Sequence, residues 1–165
     1  MKEIKLTRGK IALIDDGDFE RVNQFKWYAC LRRNSWYAIR SIHISSTPRK
    51  GTTFSMHRFI INPPSNMEID HIDGDGLNNQ KSNLRICTGS QNHANTSRYC
   101  CNSSGYKGIQ FIKNKYMAGI SKNKRYYRLG RFSSSVQAAL AYDKAARELF
   151  GEFARTNFPD YSDWT

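Results

Sequence analysis

The stretch Met67–Asn95, MEIDHIDGDGLNNQKSNLRICTGSQNHAN, contains the candidate catalytic residues and the pattern that determines the fold around them. Asp70 and His71 stand side by side at the end of a short apolar strand, just before the turn DGDG at residues 73–76. Aspartate and glycine are typical of tight turns, so the strand is expected to end at His71. A carboxylate and an imidazole placed together at a strand end are candidates for metal binding and for proton transfer.

A second strand and a helix are predicted to follow this turn. Asn83–Cys87 has the pattern of a short strand, and Thr88 with Gln91 three residues later forms the capping-box pattern that begins a helix. This order brings the end of the first strand beside the start of the helix, so Asp70 and Asn92 can supply oxygen atoms to one cation. Taken one at a time, the same residues also fit an acidic turn, a surface histidine and ordinary polar side chains.

The segment resembles the HNH nucleases, which have the ββα-metal fold, and most closely the intron-encoded homing endonucleases of phages. The residues that carry the resemblance are Asp70-His71, Asn83-Leu84-Arg85 and Asn92, and it extends over residues 63–97. Two positions depart from the common pattern of the family. Asn92 stands where many members have His, and the homing subgroup also has Asn at this position. Asn78 stands where Asp is common.

The resemblance implies a catalytic role for each of these side chains. His71 would be the general base that activates water, because imidazole titrates near neutral pH. Asp70 and Asn92 would bind one divalent ion per active site, and a site with two oxygen ligands suits Mg²⁺ or Mn²⁺ better than zinc. Asn83 would tie the loop by hydrogen bonds and so orient His71, and Arg85 would contact the phosphate.

The pair His57-Arg58 lies where the same endonucleases often carry the sequence HR. Two interpretations remain open. The pair would either contact the DNA backbone or brace the active site, or it would simply end a core segment. We include both residues among the candidate DNA-binding residues.

Composition favours a partner with many negative charges. The 165 residues include 26 Lys and Arg against 14 Asp and Glu, a formal net charge of +12, which favours association with polyanions. No stretch approaches the roughly 18 apolar residues of a membrane span. The charged N-terminus is unlike a secretory signal, so we expect a cytoplasmic protein of a bacterial or phage host cell. The four cysteines form no CxxC pair, so structural zinc is not expected.

Residues 1–99 are predicted to be a β-rich platform that leads into the nuclease motif at about residues 65–99. Runs of aromatic and β-branched residues predict its strands. These strands are Ile11–Ile14, Lys26–Leu31 and Trp36–Ile44. The apolar segment Phe54–Ile61 fits a helix or a strand equally well. The polar segment Ser97–Gly105 is the expected linker to a second domain, residues 100–165.

The second domain is predicted to be a three-stranded antiparallel sheet packed on one helix. Its strands are Tyr106–Ile112, Lys115–Lys122 and Arg125–Phe132. One of the serines at residues 133–135 is the expected N-cap of a helix that runs to about Phe150, with Gly151 as its stop. Residues 105–132 contain eight Lys or Arg and no Asp or Glu, which predicts a sheet with one basic face.

Alternation along the strands divides the side chains of this sheet between two faces. Apolar side chains are predicted to face the helix: Ile109, Phe111, Ala118, Ile120, Tyr127 and Leu129. Polar and basic side chains are left mainly on the exposed face as candidate DNA contacts: Lys107, Gln110, Ser121, Tyr126 and Arg128. Such a face can lie in the major groove of double-stranded DNA.

This domain resembles the DNA-binding domain of plant ethylene-response factors, the Apetala type, which also occurs in phage HNH endonucleases. The resemblance covers Gly105–Pro159 and rests on GYKG, LGRF, AYD and NF. Several contact positions of the plant domains are replaced here, by Gln110, Ile112 and Ser121, so the target sequence of the plant proteins does not transfer.

Together these patterns predict an α+β protein that acts as a metal-dependent DNA endonuclease. It would hydrolyse phosphodiester bonds at a specific site, in the manner of a homing enzyme, and bind as a monomer that nicks one strand. The alternative is a non-catalytic DNA-binding regulator whose HNH motif has decayed. The intact set of Asp70, His71, Asn83 and Asn92 argues against that alternative.

Overall fold

A computed structural model describes residues 1–32, 34–43, 51–97 and 103–161. The chain divides into two units, Met1–Cys87 and Thr88–Thr165. Both combine small antiparallel sheets with few helices, which confirms the expected mixture of α and β structure. The predicted functional boundary at residues 99 and 100 stays a prediction, and the middle of the expected linker, residues 98–102, lies outside the described residues. No helix in the described ranges is long and apolar enough to cross a membrane.

The N-terminal unit contains two hairpins and a three-stranded sheet. The hairpins pair β1 (Lys2–Lys5) with β2 (Ile11–Ile14) and β6 (Glu68–His71) with β7 (Leu84–Cys87). The sheet has the order β3 (Tyr28–Arg32), β4 (Ser35–His43), β5 (Gly51–Ser55). Two short helices accompany them, α1 (Phe19–Asn23) and α2 (Met56–Ile61). The three predicted strands are therefore present, although Ile44 at the end of the third lies outside the described residues.

One apolar core joins the hairpins to the two helices. Ile14 of β2, Val22 of α1 and Met56 of α2 are fully buried in it, and Ile69 and Leu84 bring in the second hairpin. Burial of side chains of this size contributes about 1.5–3 kcal/mol each, so the core fixes where the strand ends of β6 and β7 lie. The catalytic candidates at those strand ends are held by this core.

The ambiguous segment Phe54–Ile61 is a strand end followed directly by a helix. Ser55 is still extended, and helix α2 begins at Met56. Asn62 ends the helix in the left-handed conformation, with φ of 49°, and its backbone N–H donates to the carbonyl of Arg58 at 2.9 Å. Asparagine tolerates this conformation, and Pro63 after it prevents further helix.

The C-terminal unit begins with a short helix, α3 (Gly89–Ala94), and then forms the predicted sheet and long helix. The strand order is β10-β9-β8, all antiparallel, with β8 (Ile109–Ile112), β9 (Lys115–Lys122) and β10 (Arg125–Phe132). The helix α4 (Ser135–Phe150) has Ser134 as N-cap and ends at Gly151, whose φ is 53°. The strand and helix bounds predicted for β9, β10 and α4 are confirmed, and β8 begins three residues later than predicted.

The late start of β8 has a steric cause. Gly108 has a φ of 76°, and a Cβ placed there would lie 2.0 Å from the Tyr142 ring of α4. The chain therefore enters the sheet from a tight approach that only glycine permits. Asp143, next to Tyr142, is buried and accepts hydrogen bonds at 2.8 Å from the backbone N–H groups of Asn157 and Phe158. These contacts tie the segment after α4 to the helix.

The predicted division of the sheet into two faces is confirmed at four positions, and two further residues are more exposed than expected. Ile109, Ala118 and Ile120 are buried against α4, and Leu129 packs against them. Phe111 and Tyr127 have the right alternation but remain 50% and 41% exposed. Both stand near strand ends, at the β8–β9 and β9–β10 turns. Alternation predicts the face of a residue but not the extent of the helix that covers it.

Candidate active site

The carboxylate of Asp70 and the imidazole of His71 lie at the C-terminal end of β6. Asp70 is 4% exposed and His71 is 6% exposed. In the antiparallel register Asp70 faces Arg85, and His71 faces Leu84. The turn that follows is closed by the Gly74 N–H, which donates to the His71 carbonyl at 2.9 Å. Two ionisable side chains that sequence analysis singled out are therefore both buried at one strand end.

Arg85 bonds to Asp70 across the hairpin. Its Nε and Nη2 lie 2.8 and 2.7 Å from the same carboxylate oxygen, Oδ2 of Asp70. The guanidinium supplies the positive charge that a buried carboxylate requires. The phosphate contact expected of Arg85 stays a prediction, and the bond to Asp70 is the interaction that sequence analysis did not foresee.

Asn83 joins both ends of the loop between the two strands. Its Nδ2 donates to Asp73 Oδ1 at 3.0 Å and to the Asn78 carbonyl at 2.9 Å, while its Oδ1 accepts from the Asp73 N–H at 3.1 Å. Its backbone carbonyl accepts from the Ile72 N–H at 2.9 Å. The side chain is thus positioned to hold the loop beside His71, and the catalytic consequence of this stays a prediction.

Asp73 is the second centre of hydrogen bonding in this loop. It accepts from the Asp75 N–H and from Asn78 Nδ2, each at 2.8 Å, in addition to Asn83. Burial raises the pKa of Asp73, but these hydrogen bonds outweigh it and the net pKa lies below the usual value. The loop therefore carries a stable negative charge close to His71.

Aromatic and imidazole rings surround His71. The His71 ring centroid lies 5.1 Å from that of His57 and 5.9 Å from that of Tyr37, both in edge-to-face geometry. Gly76 makes this arrangement possible, because a Cβ there would lie 2.5 Å from the Trp36 carbonyl and 2.6 Å from the Tyr37 ring. The acidic loop and strand β4 therefore meet in direct contact.

Burial lowers the pKa of His71, while a side-chain interaction with Asn79 and the charges of Asp73 and Asp70 act in the opposite direction. The net pKa lies below the usual histidine value, so the ring is neutral at neutral pH. Burial, followed by the charges of His71 and Arg58, lowers the pKa of His57 to about 3. Two neutral imidazoles thus stand against each other at this site.

His57 and Arg58 contact different parts of the β6–β7 hairpin region. His57 Nε2 lies 3.0 Å from Ser55 Oγ, and its ring rests against His71. Arg58 Nη1 donates at 3.0 Å to the carbonyl of Met67, just before β6. Both side chains therefore point from helix α2 to the β6–β7 hairpin, and their contact with DNA stays a prediction.

Sequence analysis missed the contribution of the N-terminal hairpin. The Leu13 N–H donates to the Leu77 carbonyl at 2.9 Å, and the Asn79 N–H donates to the Leu13 carbonyl at 2.8 Å. Asp15 accepts from the Lys81 N–H at 2.8 Å. Strand β2 therefore pairs with the far side of the acidic loop. Backbone pairing over more than sixty residues leaves no pattern in a single sequence that could have revealed it.

Asn92, the expected second metal ligand, lies on α3 in the C-terminal unit and is partly buried. The capping box predicted for this helix is confirmed. Thr88 Oγ1 accepts from the Gln91 N–H at 3.3 Å, and Gln91 Oε1 accepts from the Thr88 N–H at 2.8 Å. Whether Asn92 and Asp70 share an ion stays a prediction.

The chemistry of the candidate ligands fits a hard divalent cation. Asp70 and Asn92 offer carboxylate and amide oxygens, which are the ligand atoms that hard divalent cations prefer. Within the described ranges no group of three or more His, Cys, Asp or Glu side chains could hold a metal ion.

The exposed face of the C-terminal sheet carries four of the five predicted contacts. Gln110, Ser121, Tyr126 and Arg128 are exposed there. Lys107 differs, because it precedes β8 and its Nζ donates to the carbonyls of Ala94 and Arg155. Burial, followed by the charge of Arg155, lowers the pKa of Lys107 to about 8.

Arg131 belongs to the same exposed face and was missed. The register between β9 and β10 shifts between Arg128 and Gly130, so Arg131 pairs with Met117 and Phe132 turns inward to the core. Gly130, with φ of 144°, permits this bulge. Simple alternation places Arg131 on the wrong face. A glycine within a basic strand was the available indication of a bulge.

Comparisons with known proteins identify the segment that contains β6 and β7. Residues 62–94 match the model of a family described as HNH endonuclease. An uncharacterized HNH endonuclease of Acanthamoeba polyphaga mimivirus is 37% identical over 164 residues, which cover 94% of this chain and 80% of that protein. The chain belongs to the HNH endonuclease family. No solved structure matches this HNH endonuclease.

Two further relatives match parts of this HNH endonuclease. Protein 3.8 of Escherichia phage T7 is 34% identical over 95 residues, 56% of this chain and 77% of that protein. The dehydration-responsive element-binding protein 2E of Arabidopsis thaliana is 49% identical over 43 residues, 26% of this chain and only 17% of the plant protein. The plant likeness is thus local.

Proposed function

We propose that this HNH endonuclease cuts double-stranded DNA by metal-dependent hydrolysis of a phosphodiester bond, with His71 as the general base. The observation that carries the proposal is the pairing of a buried imidazole, His71, with a buried carboxylate, Asp70, at the end of one strand. Family membership adds to it, since residues 62–94 match the HNH endonuclease model.

His71 would accept the proton of the water that attacks phosphorus. A general base must be neutral to do so, and burial keeps the pKa of His71 below the usual value. The bond from phosphorus to the 3′ oxygen then breaks, which leaves 5′-phosphate and 3′-hydroxyl ends. Asn83 and His57 act as positioning residues, Asn83 by holding the loop and His57 by packing against the imidazole.

Asp70 and Asn92 are the proposed protein ligands of one Mg²⁺ or Mn²⁺ ion, as the family resemblance implies. When bound, such an ion neutralises the charge that develops on the leaving oxygen. Arg85 holds the carboxylate of Asp70 in place through two hydrogen bonds to one oxygen. The carboxylate is thereby oriented before any ion arrives.

The exposed face of the C-terminal sheet is the proposed DNA-reading surface. It combines Arg128 and Arg131 with Gln110, Ser121 and Tyr126, which are side chains able to contact phosphates and base edges. The resemblance of residues 105–159 to plant DNA-binding domains supports this assignment. So does the similarity to a plant protein named for binding a dehydration-responsive element. We propose site-specific cleavage of the homing type, by a monomer.

The test is incubation of the purified protein with supercoiled plasmid, with Mg²⁺ or with chelator. We expect nicked plasmid with Mg²⁺ and none with chelator. His71→Ala should abolish cutting while the affinity for DNA stays nearly unchanged, because the base acts on water. The matched control is His93→Ala, since His93 is an exposed histidine on α3 with no proposed role. Cutting by His71→Ala at the wild-type rate would refute the proposal.

A further inference from the structure

The N-terminal unit holds one arginine in a cluster of aromatic rings. Arg40, on β4, has its guanidinium carbon 3.8 Å from the ring centroid of Phe25. Three more rings lie close by: Phe59 at 5.2 Å, Trp27 at 5.6 Å and Phe54 at 5.9 Å. We call Arg40 with these four rings the arginine cluster. Its arginine lies outside the HNH motif at residues 62–94 and plays no part in the proposed mechanism.

One nitrogen of the Arg40 guanidinium has no acceptor among the residues that the structure describes. Its Nε is buried and makes no hydrogen bond. Arg21, which stacks on the same Phe59 ring, shows the contrast. Arg21 donates to the carbonyls of Phe59 and Ile60 and to Asp18, so its hydrogen-bonding capacity is used within the unit. Arg40, by contrast, is held by ring contacts, and within the described ranges its Nε has no hydrogen-bond acceptor.

Such a group is prepared to bind an oxyanion. A guanidinium presents its donors in a planar fork that matches the oxygens of phosphate or carboxylate. Stacking on Phe25 and its neighbours fixes the plane, so little side-chain entropy remains to be lost on binding. Phe25 is itself 37% exposed, so the cluster reaches the surface.

Charge decides which oxyanion fits. The chain carries a formal net charge of +12, with 26 Lys and Arg against 14 Asp and Glu. Asp18, which bonds to Arg21 near the same Phe59 ring, is also paired with Lys81 at 2.8 Å. A basic protein with a partly exposed arginine favours a polyanion over a single carboxylate.

We propose that the arginine cluster is a phosphate-binding site through which the N-terminal unit holds the backbone of DNA. The proposal rests on the proposed function, since it assumes that the protein binds DNA. It assigns a second DNA contact surface, separate from the C-terminal sheet. Its ligand is a backbone phosphodiester, so the contact positions the duplex without reading its sequence.

The test is the salt dependence of binding by the full-length protein. Affinity for a short labelled duplex would be measured by fluorescence anisotropy, with chelator, over a range of KCl concentrations. Arg40→Gln should weaken binding and reduce the log–log slope by about 0.9, the loss of one phosphate contact. Arg40→Lys keeps the charge but loses the planar fork, so it should recover most of the slope while its affinity stays below that of the wild type. The control is Lys2→Gln, which removes an equal charge and also a cation–ring contact, that with Phe19.

Each outcome has one meaning. Equal slopes for wild type and Arg40→Gln, or an equal loss in Lys2→Gln, would overturn the inference and leave the proposed function intact. A wild-type protein that neither binds nor nicks DNA would refute the proposed function and this inference with it.

If Arg40→Gln fails to fold, as judged by tryptophan fluorescence, an unchanged affinity and slope in a folded Arg40→Ala would overturn the inference. If neither Arg40→Gln nor Arg40→Ala folds, the affinity of Arg40→Lys for the duplex decides. A lower affinity than that of the wild type would support the inference, and an equal affinity would overturn it. Competition by polyglutamate tests whether the site binds carboxylates instead. If Arg40→Gln lost affinity for polyglutamate but kept its affinity for DNA, the assignment of phosphate as the ligand would be overturned.

Discussion

Arg85 directs two nitrogens, Nε and Nη2, at a single oxygen of Asp70, at 2.8 and 2.7 Å across the β6–β7 pair. The Arg85 and Asp70 side chains are only 13% and 5% exposed, so this is a buried ion pair. A buried pair is strongly destabilised when one partner is removed, because the remaining charge is left in an apolar environment. The candidate metal ligand therefore depends on Arg85 for its charge balance.

The first prediction concerns this dependence. Arg85→Ala should lower the free energy of unfolding by about 3 kcal/mol, because Asp70 loses its buried counter-charge. The double variant Asp70→Asn/Arg85→Ala should recover a large part of that loss, and Asp70→Ala alone should abolish cutting. Urea unfolding and a plasmid assay measure the two effects. A double variant no more stable than Arg85→Ala would show that the pair is not the cause.

The second prediction concerns the contact between the acidic loop and β4. Gly76→Ala should destabilise the protein by about 1–3 kcal/mol and reduce cutting, because the new methyl group would overlap the Trp36 carbonyl and the Tyr37 ring. Gly17→Ala is the matched control, since a Cβ at Gly17 has nothing within 4 Å. Thermal unfolding and nicking rates of the two variants decide it. Equal behaviour would mean that the loop yields without cost.

These two sites also show what the sequence could and could not predict. Local patterns were sufficient for Thr88 and Gln91, whose capping box involves neighbours in sequence, and for the bounds of β9 and β10. Two interactions are long-range pairings: the bond between Arg85 and Asp70, and the backbone hydrogen bonds of Leu13 with the loop between β6 and β7. Their register follows from a core assembled from the whole unit, so no local pattern encodes them.

The third prediction uses the bulge in β10. Arg131→Gln should weaken DNA binding and lower the log–log salt slope by about 0.9, as Arg128→Gln should, because the bulge brings both side chains to the same exposed face. Lys144→Gln is the matched control, since Lys144 is exposed on α4, in the layer opposite that face. Anisotropy titrations over a range of KCl concentrations measure the slopes. An effect of Lys144→Gln equal to that of Arg131→Gln would contradict the assignment of the face.

The fourth prediction is a pH dependence of stability. Burial lowers the folded-state pKa of Lys107 to about 8, against 10.5 when unfolded. Between these values the unfolded chain binds one proton more than the folded chain, so Lys107 makes stability rise as pH increases from about 8 to 10.5. Lys107→Met should remove this rise. Urea unfolding of both proteins at several pH values gives the difference, and parallel curves would show that the carbonyls of Ala94 and Arg155 keep the ammonium charged.

The last prediction concerns the number of strands cut. One His71 and one Asp70 give the chain one candidate site, which holds one water, one phosphorus and one leaving oxygen in line. The scissile phosphate of the opposite strand lies across the groove with reversed polarity.

A single chain cannot present the same geometry to both strands without releasing the duplex and rebinding in the opposite orientation. The two units differ in fold, so in the part of the chain that the structure describes no internal two-fold symmetry supplies a second site. We therefore expect the protein to bind as a monomer and to nick one strand at a defined position. Denaturing gels with each strand labelled in turn measure this, and simultaneous, equal cutting of both strands by a stoichiometric monomer would contradict it.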